Sequence, residues 1–268
     1  MDQHALEHYR SYSDETPYAH FHRVIALHEE PMLDWDEVFE IAPDLPKGWY
    51  ELAQLPSQDR IEFIRDFWCA KFAAHPSFVD FLLKFFQSID DVGIFLTQQK
   101  YDDPFAAQLV YSLSGNSGFF HGGPPCPDNE IINLQKAFQD YILPADYIDF
   151  LRIHDGFAKL TDTGIARSSD MSESYDSLRE VLEKGDPLRT SSGISANPKS
   201  LIPFYKSFDM PFYQCFWAEW YPEQEMGNVY YSGLTHTISD YVTLGVGVES
   251  MAFETFTDWL MFYLEKID

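Results

Sequence analysis

Apolar residues recur every three to four positions through much of residues 19–113, which is the spacing of one face of an α-helix. The segments that follow this spacing are 19–30, 33–41, 57–75, 77–89 and 104–113. Ser57, Ser77 and Asp103 stand where a helix N-cap or first turn is expected. The pattern therefore predicts a helical region with an aromatic core over residues 1–125.

The pattern changes after a stretch rich in Gly, Pro and Ser at residues 114–128, which is typical of a linker. Helices are predicted from Asp128, over 174–184 and at the end of the chain from Phe253. The segments rich in Phe, Tyr, Trp and Val, which predict antiparallel strands, are 201–208, 212–220 and 227–232. A short hairpin over 158–169 and a weaker strand over 236–242 are also expected. Helices followed by adjacent strands and a helix favour an α+β fold with an antiparallel sheet, divided into regions 1–125 and 126–268.

Residues 143–157 contain the predicted helix whose start and end are most clearly marked by the sequence. Pro144 suits the first helical position, because a proline loses no hydrogen bond there. Tyr147, Phe150 and Leu151 share one apolar face. Gly156 can adopt the left-handed conformation that often follows a helix.

The same segment resembles a known family signature. Leu143-Pro144, then Asp146-Tyr147, then Phe150-Leu151 and Gly156 resemble the opening motif of the SUKH superfamily, which joins fungal cell-wall-synthesis regulators to bacterial immunity proteins. Further resemblances, in the family's order, are 201–204 to its first long strand, 214–220 and 227–232 to the next two, and 252–260 to its closing helix. The resemblance covers about residues 129–268, and residues 1–125 resemble no family.

The resemblance implies a protein-binding role without catalysis and without a cofactor. It implies most concretely an immunity-type function, in which the chain neutralises a toxin or effector protein by occluding it. The fungal relatives imply an alternative, a regulatory or scaffolding protein that binds cellular partners. An unrecognised hydrolase remains open, since a catalytic triad can be assembled from residues distant in sequence.

The charge of the chain limits the possible partners. With 18 Lys and Arg against 43 Asp and Glu, the net charge is −25, and it is shared between residues 1–125 (8 against 20) and 126–268 (10 against 23). Such a surface repels nucleic acid and anionic lipid, whereas it attracts a basic protein such as a toxin domain. Solubility alone is the alternative explanation of the charge.

Composition also bears on location. No run of about 18 apolar residues is present, so no membrane-spanning helix is expected, and the polar start of the chain does not resemble a secretory signal. Three widely spaced cysteines fit neither a disulfide framework nor a zinc motif, and they favour the cytoplasm.

Sequence motifs that would indicate metal binding, phosphate binding or catalysis are weak. The pair His20 and His22, with His28 nearby, lacks the spacing of a known metal motif, so no metal site is expected. Gly-rich segments at 115–118 and 245–247 lack the lysine of a phosphate-binding loop, and no Gly-x-Ser-x-Gly motif occurs.

The candidate binding residues mix large aromatic and acidic side chains. Tryptophan is a favoured anchor in protein interfaces, and charges around it set specificity. The candidates are Asp146, Asp149, Trp217, Glu219, Trp220, Glu223 and Glu225. The alternative is that both tryptophans pack into the core and the glutamates are ordinary surface charges.

Overall fold

The computed structural model describes residues 1–29, 33–240 and 251–265. It confirms the α+β class. The described chain forms two compact units. The first contains Met1–Pro125 and Phe157–Leu160, and the second contains Cys126–Gly156 and residues 161–265.

Helices of the first unit occupy its first 85 residues. They are α1 (Gln3–His8), α2 (Trp35–Ile41), α3 (Lys47–Ala53), α4 (Ser57–Lys71) and α5 (Pro76–Phe85). The predicted helices over 33–41, 57–75 and 77–89 are thereby confirmed to within a few residues. The helix starts differ from expectation, because Pro56 and His75 precede α4 and α5 and neither helix has a side-chain cap.

Strands of the first unit form an antiparallel sheet in chain order. They are β1 (Arg23–Ala26), β2 (Ile89–Gln98), β3 (Ala106–Leu113), β4 (Phe119–Gly122) and β5 (Phe157–Lys159). The prediction that helices alone build residues 1–125 is therefore wrong. The predicted helices over 19–30 and 104–113 are β1 and β3, and the predicted linker contains β4.

Pairing partners explain these corrections. Ala106–Leu113 has residues that favour helices, but β2 and β4 satisfy its backbone groups on both sides, and tertiary pairing overrides a weak local preference. Between β3 and β4, Gly115 and Asn116 both have left-handed φ angles, +72° and +58°, as a tight hairpin turn requires.

A buried arginine of α4 forms hydrogen bonds to this sheet. Arg60 is 6% exposed and donates hydrogen bonds to the Val92 carbonyl, the Leu55 carbonyl and the Asp91 carboxylate, the last at 2.7 Å. Ser57, predicted as a cap, donates its hydroxyl to the same carboxylate at 2.6 Å instead. The buried charges of Arg60 and Asp91 are therefore paired with each other, and both groups form further hydrogen bonds.

Helices of the second unit are α6 (Asp128–Ala137), α7 (Ala145–Leu151), α8 (Met171–Lys184) and α9 (Phe256–Leu264). All four predicted helices in this part of the chain are confirmed, but the last begins at Phe256 instead of Phe253, because Ala252 and Phe253 pair with residues 228–229 as a short strand. Pro144 is the N-cap of α7 rather than its first residue, and Gly156 is left-handed at φ +85°. Tyr147, Phe150 and Leu151 are fully buried, as predicted.

Strands of the second unit are β6 (Gly164–Ile165), β7 (Arg189–Thr190), β8 (Leu201–Lys206), β9 (Phe212–Trp217), β10 (Asn228–Ser232), β11 (Thr237–Ile238) and β12 (Ala252–Phe253). The three predicted strands are confirmed as the antiparallel neighbours β8, β9 and β10. β11 confirms only residues 237 and 238 of the weaker strand predicted over 236–242. Residues 239 and 240 are not in a strand, and residues 241 and 242 lie outside the described residues. The 245–247 glycine segment also lies outside them.

Aromatic packing joins this sheet to its helices. The Phe204 ring stacks on Phe216 at 4.3 Å and meets the Trp259 indole edge to face at 4.8 Å. Tyr147 of α7 contacts the rings of Phe216 and Phe256. The sheet thus packs on α7 and α9, which leaves the start of α7 beside the loop between β9 and β10.

Candidate polar face of the second unit

Two of the predicted binding residues lie inside the unit. Asp146 is 1% exposed and Trp217 is 3% exposed, so the expectation that they face a partner is wrong. The Asp146 carboxylate accepts the backbone N–H groups of Tyr147 and Thr257, each at 2.9 Å. Trp217 packs in the core with Leu201, Cys215 and Val229.

Glu219 is exposed, but its carboxylate is fixed. One oxygen accepts the indole N–H of Trp217 and the backbone N–H of Asn197, both at 3.2 Å. The buried tryptophan therefore orients a surface carboxylate, which joins the end of β9 to the segment before β8.

Glu225 is held in the same way. Its carboxylate accepts the backbone N–H of Ala145, the first residue of α7, at 3.1 Å. A carboxylate at that position satisfies an unpaired amide of the helix start and interacts favourably with the helix dipole. Asp149, on the same helix, is half-buried and pairs with Arg152 at 2.8 Å.

The loop between β9 and β10, residues 218–227, is closed by its own backbone hydrogen bonds. Trp217 donates its N–H to the Gly227 carbonyl at 2.9 Å, and Gly227 donates its N–H to the Trp220 carbonyl at 3.0 Å. The Trp220 ring is half-buried against Gly227, where any Cβ atom would collide with it. Tyr221 is 50% exposed at the loop tip. Glu223 lies in the 3₁₀ turn Pro222–Gln224, and its side chain lies outside the described structure.

A polar cavity of about 540 Å³ lies between the end of α6, one side of α8 and Lys199. Its main polar lining residues are Asp140, Tyr141, Tyr175, Asp176, Arg179, Glu183 and Lys199. No sequence motif pointed to these residues. The signal was present, since residues 172, 175, 176, 179 and 183 follow helical spacing and are all polar or aromatic.

Two tyrosines meet at one carbonyl in this cavity. The hydroxyls of Tyr141 and Tyr175 donate to the Lys199 carbonyl oxygen at 2.7 and 2.8 Å. Burial, followed by the contact with Tyr141, raises the pKa of Tyr175 to about 12. The phenol therefore stays neutral at physiological pH.

The cavity is linked to Glu219 by a short run of backbone. Asn197 donates its N–H to Glu219, and its side chain accepts the N–H of Lys199 at 3.0 Å. The Lys199 carbonyl in turn accepts the hydrogen bonds of the two tyrosine hydroxyls. We refer to the cavity residues together with Asn197, Glu219 and Glu225 as the polar face.

Charges on the polar face are partly paired. Arg179 contacts Asp176 at 3.1 Å and lies over the Tyr175 ring, 5.5 Å from its centroid. Lys199 Nζ lies 4.0 Å from Glu183. Three carboxylates and two cations therefore line the cavity, which leaves a net negative charge.

A second cluster of chemistry-bearing groups lies elsewhere in this unit. Cys126 Sγ lies 3.2 Å from Ser168 Oγ, and the Ser168 hydroxyl donates to Asp155 at 2.9 Å. Burial is the largest cause that raises the pKa of the Cys126 thiol to about 11, so the thiol is protonated. A protonated, buried thiol is a poor nucleophile. The role of this cluster is therefore structural: it connects the turn after α7 to Ser168.

In the first unit, the cluster of side chains with potential chemistry consists of histidines. The His8 ring lies 4.7 Å from His20 and 6.0 Å from His121, centroid to centroid. The His8 ring is tilted relative to His20 and stacked on His121. In the described ranges, no group of three or more metal-ligating side chains that could hold an ion is found.

Compared with known proteins, the chain matches no protein-family model and no curated protein. The SUKH resemblance therefore stays a prediction. In the part of the chain that the structure describes, no helix is both long and apolar enough to cross a bilayer.

Proposed function

We propose that this chain binds a protein, and that it neutralises a basic toxin or effector in the manner of an immunity protein, without catalysis. The partner docks on the polar face of the second unit. The proposal places the chain in the cytoplasm, where the partner would act. The observation that carries it is a pair of surface carboxylates fixed by backbone hydrogen bonds: Glu219, which Asn197 links to the acidic cavity, and Glu225, which is bonded to the start of α7.

Fixed carboxylates suit recognition of a basic surface. Long surface side chains normally lose conformational entropy when they form an ion pair, which makes most exposed pairs weak. Glu219 and Glu225 have already lost much of that freedom, because each is hydrogen-bonded to backbone N–H groups. Preorganised groups of this kind reduce the cost of binding.

The wider charge supports the same partner. Residues 126–268 carry 10 Lys and Arg against 23 Asp and Glu, so the field around the polar face is negative. Such a field accelerates encounter with a basic protein, and the acceleration decreases with salt. Tyr221, half-exposed at the tip of the adjacent loop, provides an aromatic anchor.

Capture of partners by the full chain tests the proposal. The wild-type chain and the double variant Glu219→Gln/Glu225→Gln are compared in native lysate at 50 and 300 mM salt. Glutamine keeps an acceptor oxygen for the backbone N–H groups, so the fold is retained while the charge is lost. We expect one abundant basic protein that the wild type captures at low salt and the double variant loses.

The matched control is Glu40→Gln/Glu51→Gln, which removes two exposed charges from the first unit. We expect this control to capture the partner as the wild type does. Equal losses in both double variants would show that net charge alone drives capture and would contradict a specific face. Several salt-resistant partners would instead favour a scaffold.

A further inference from the structure

We infer that the cavity between α6, α8 and Lys199 binds a cationic side chain, an arginine or lysine that the basic partner inserts. This inference rests on the proposed function, which it extends by assigning the pocket that receives the partner's charge. The volume of about 540 Å³ is ample for one long side chain and its hydration water.

The polar atoms that face the cavity are mainly acceptors. Tyr141 and Tyr175 both donate their hydroxyls to the Lys199 carbonyl, so each phenolic oxygen can only accept further hydrogen bonds, and that of Tyr175 already interacts with Arg179. Asp140 is exposed at the rim and adds a carboxylate. Guanidinium and ammonium groups are donors without acceptors, which makes them complementary to this lining.

The lining cations do not turn the cavity into an anion site. Arg179 is paired with Asp176, and Lys199 with Glu183, across separations of 3.1 and 4.0 Å. Both pairs are substantially exposed, and exposed pairs exchange partners at little cost. An incoming cation can therefore share the carboxylates, whereas an anion would have to displace them.

Removing a lining cation by mutation should change the affinities for cations and anions in opposite directions. Binding of a cation should become tighter, whereas binding of an anion should become weaker. The probes are N-acetyl-arginine amide and inorganic phosphate, titrated into the full chain and followed by the backbone NMR signals of residues 140–141 and 175–183. Arg179→Gln frees Asp176, and we expect it to tighten binding of the arginine probe about threefold, the scale of one exposed ion pair. Asp140→Asn weakens it by a similar factor.

Lys184→Gln is the matched control, because it removes the same charge from the same helix at a residue whose partner, Glu180, does not line the cavity. We expect this variant to bind the arginine probe like the wild type. Lys199→Gln, which frees Glu183, provides a second test if Arg179→Gln folds poorly.

Phosphate binding that Arg179→Gln abolishes would overturn the inference, as would an arginine probe that shifts none of the cavity signals. Equal tightening by Lys184→Gln would also overturn it, because a general field would then explain the effect. The outcome for the proposed function is separate. Arginine-probe binding in the cavity without any captured protein would leave the cavity assignment standing and contradict the immunity role.

Discussion

The Asp146 carboxylate accepts the backbone N–H of Thr257 at 2.9 Å, across 111 positions of sequence. Thr257 lies in the first turn of α9, and the Thr255 hydroxyl accepts the next amide, that of Asp258, at 3.0 Å. A residue of α7 thus shares with Thr255 the capping of α9. This role accounts for an acidic side chain that is 1% exposed.

Asp146→Ala should therefore destabilise the second unit. The change leaves the Thr257 amide without its buried acceptor, and such a loss costs about 2–3 kcal/mol. Urea unfolding followed by circular dichroism measures it. Asp149→Asn, on the same helix and half-buried, should change the free energy of unfolding by less than about 0.5 kcal/mol. Equal effects of the two variants would contradict the capping role.

Arg60 gives a prediction for the first unit. Arg60→Met keeps the aliphatic volume, but it removes the nearer of the two cations beside Asp91, the other being the Met1 ammonium at 4.0 Å, and it leaves two carbonyls without this donor. We expect a loss of about 3 kcal/mol, the cost of breaking a buried pair. Arg65→Met, which breaks an exposed pair on the same helix, is the control and should be nearly neutral. The same chemical unfolding experiment applies, and two equally mild effects would refute the assignment.

The stacked histidines predict a loss of stability in acid. Burial, followed by the charges of His121 and His20, lowers the pKa of His8 from 6.5 to about 4. Burial lowers the pKa of His121 to about 4 as well, although its hydrogen bond to the Leu160 carbonyl opposes this. The unfolded chain therefore binds more protons between pH 6.5 and 4, and stability decreases as the pH falls through this window.

Each histidine contributes at most about 1.4 kcal/mol per pH unit to this slope. Unfolding midpoints at pH 7, 6 and 5 should show the decrease, and His8→Phe should flatten it because the replacement ring cannot be protonated. An unchanged slope in His8→Phe would show that other groups cause the acid sensitivity.

Thiol reactivity tests the non-catalytic assignment. Cys126 and Cys215 are buried, and burial raises the pKa of both thiols. Cys69 is half-buried. We expect iodoacetamide at pH 7.5 to label Cys69 first, and the other two only after unfolding, as peptide mass spectrometry can show. Rapid labelling of Cys126 in the folded protein would reveal an activated nucleophile and favour the hydrolase hypothesis.

How far the sequence predicts this structure depends on where each segment finds its hydrogen-bond partners. α7 was predictable because its apolar spacing and Pro144 are local signals, and β8, β9 and β10 because their aromatic composition is typical of strands. β3 was not, since Ala107, Leu109 and Val110 fit either structure and only the pairing with β2 and β4 decides. The Gly115-Asn116 turn was the local signal that could have identified this hairpin.

The surroundings of the candidate binding residues were predictable only in part. Composition indicated that Glu219, Trp220 and Glu225 lie near the surface, and none of the three is buried. The burial of Asp146 and Trp217 depends on contacts with α9 and the β8–β10 sheet that are distant in sequence. Tyr141 and Tyr175 lie 34 positions apart and meet through a carbonyl of a third segment. No local pattern encodes such a meeting.

Site-specific photocrosslinking tests the central claim, a partner on the polar face, most directly. Benzoylphenylalanine is placed at position 221, beside the polar face, or at position 18, where the native tyrosine is 95% exposed in the first unit. We expect one basic protein to be crosslinked from position 221 at 50 mM salt, less of it at 300 mM, and none from position 18. No crosslink from position 221, or the same products from both positions, would contradict it.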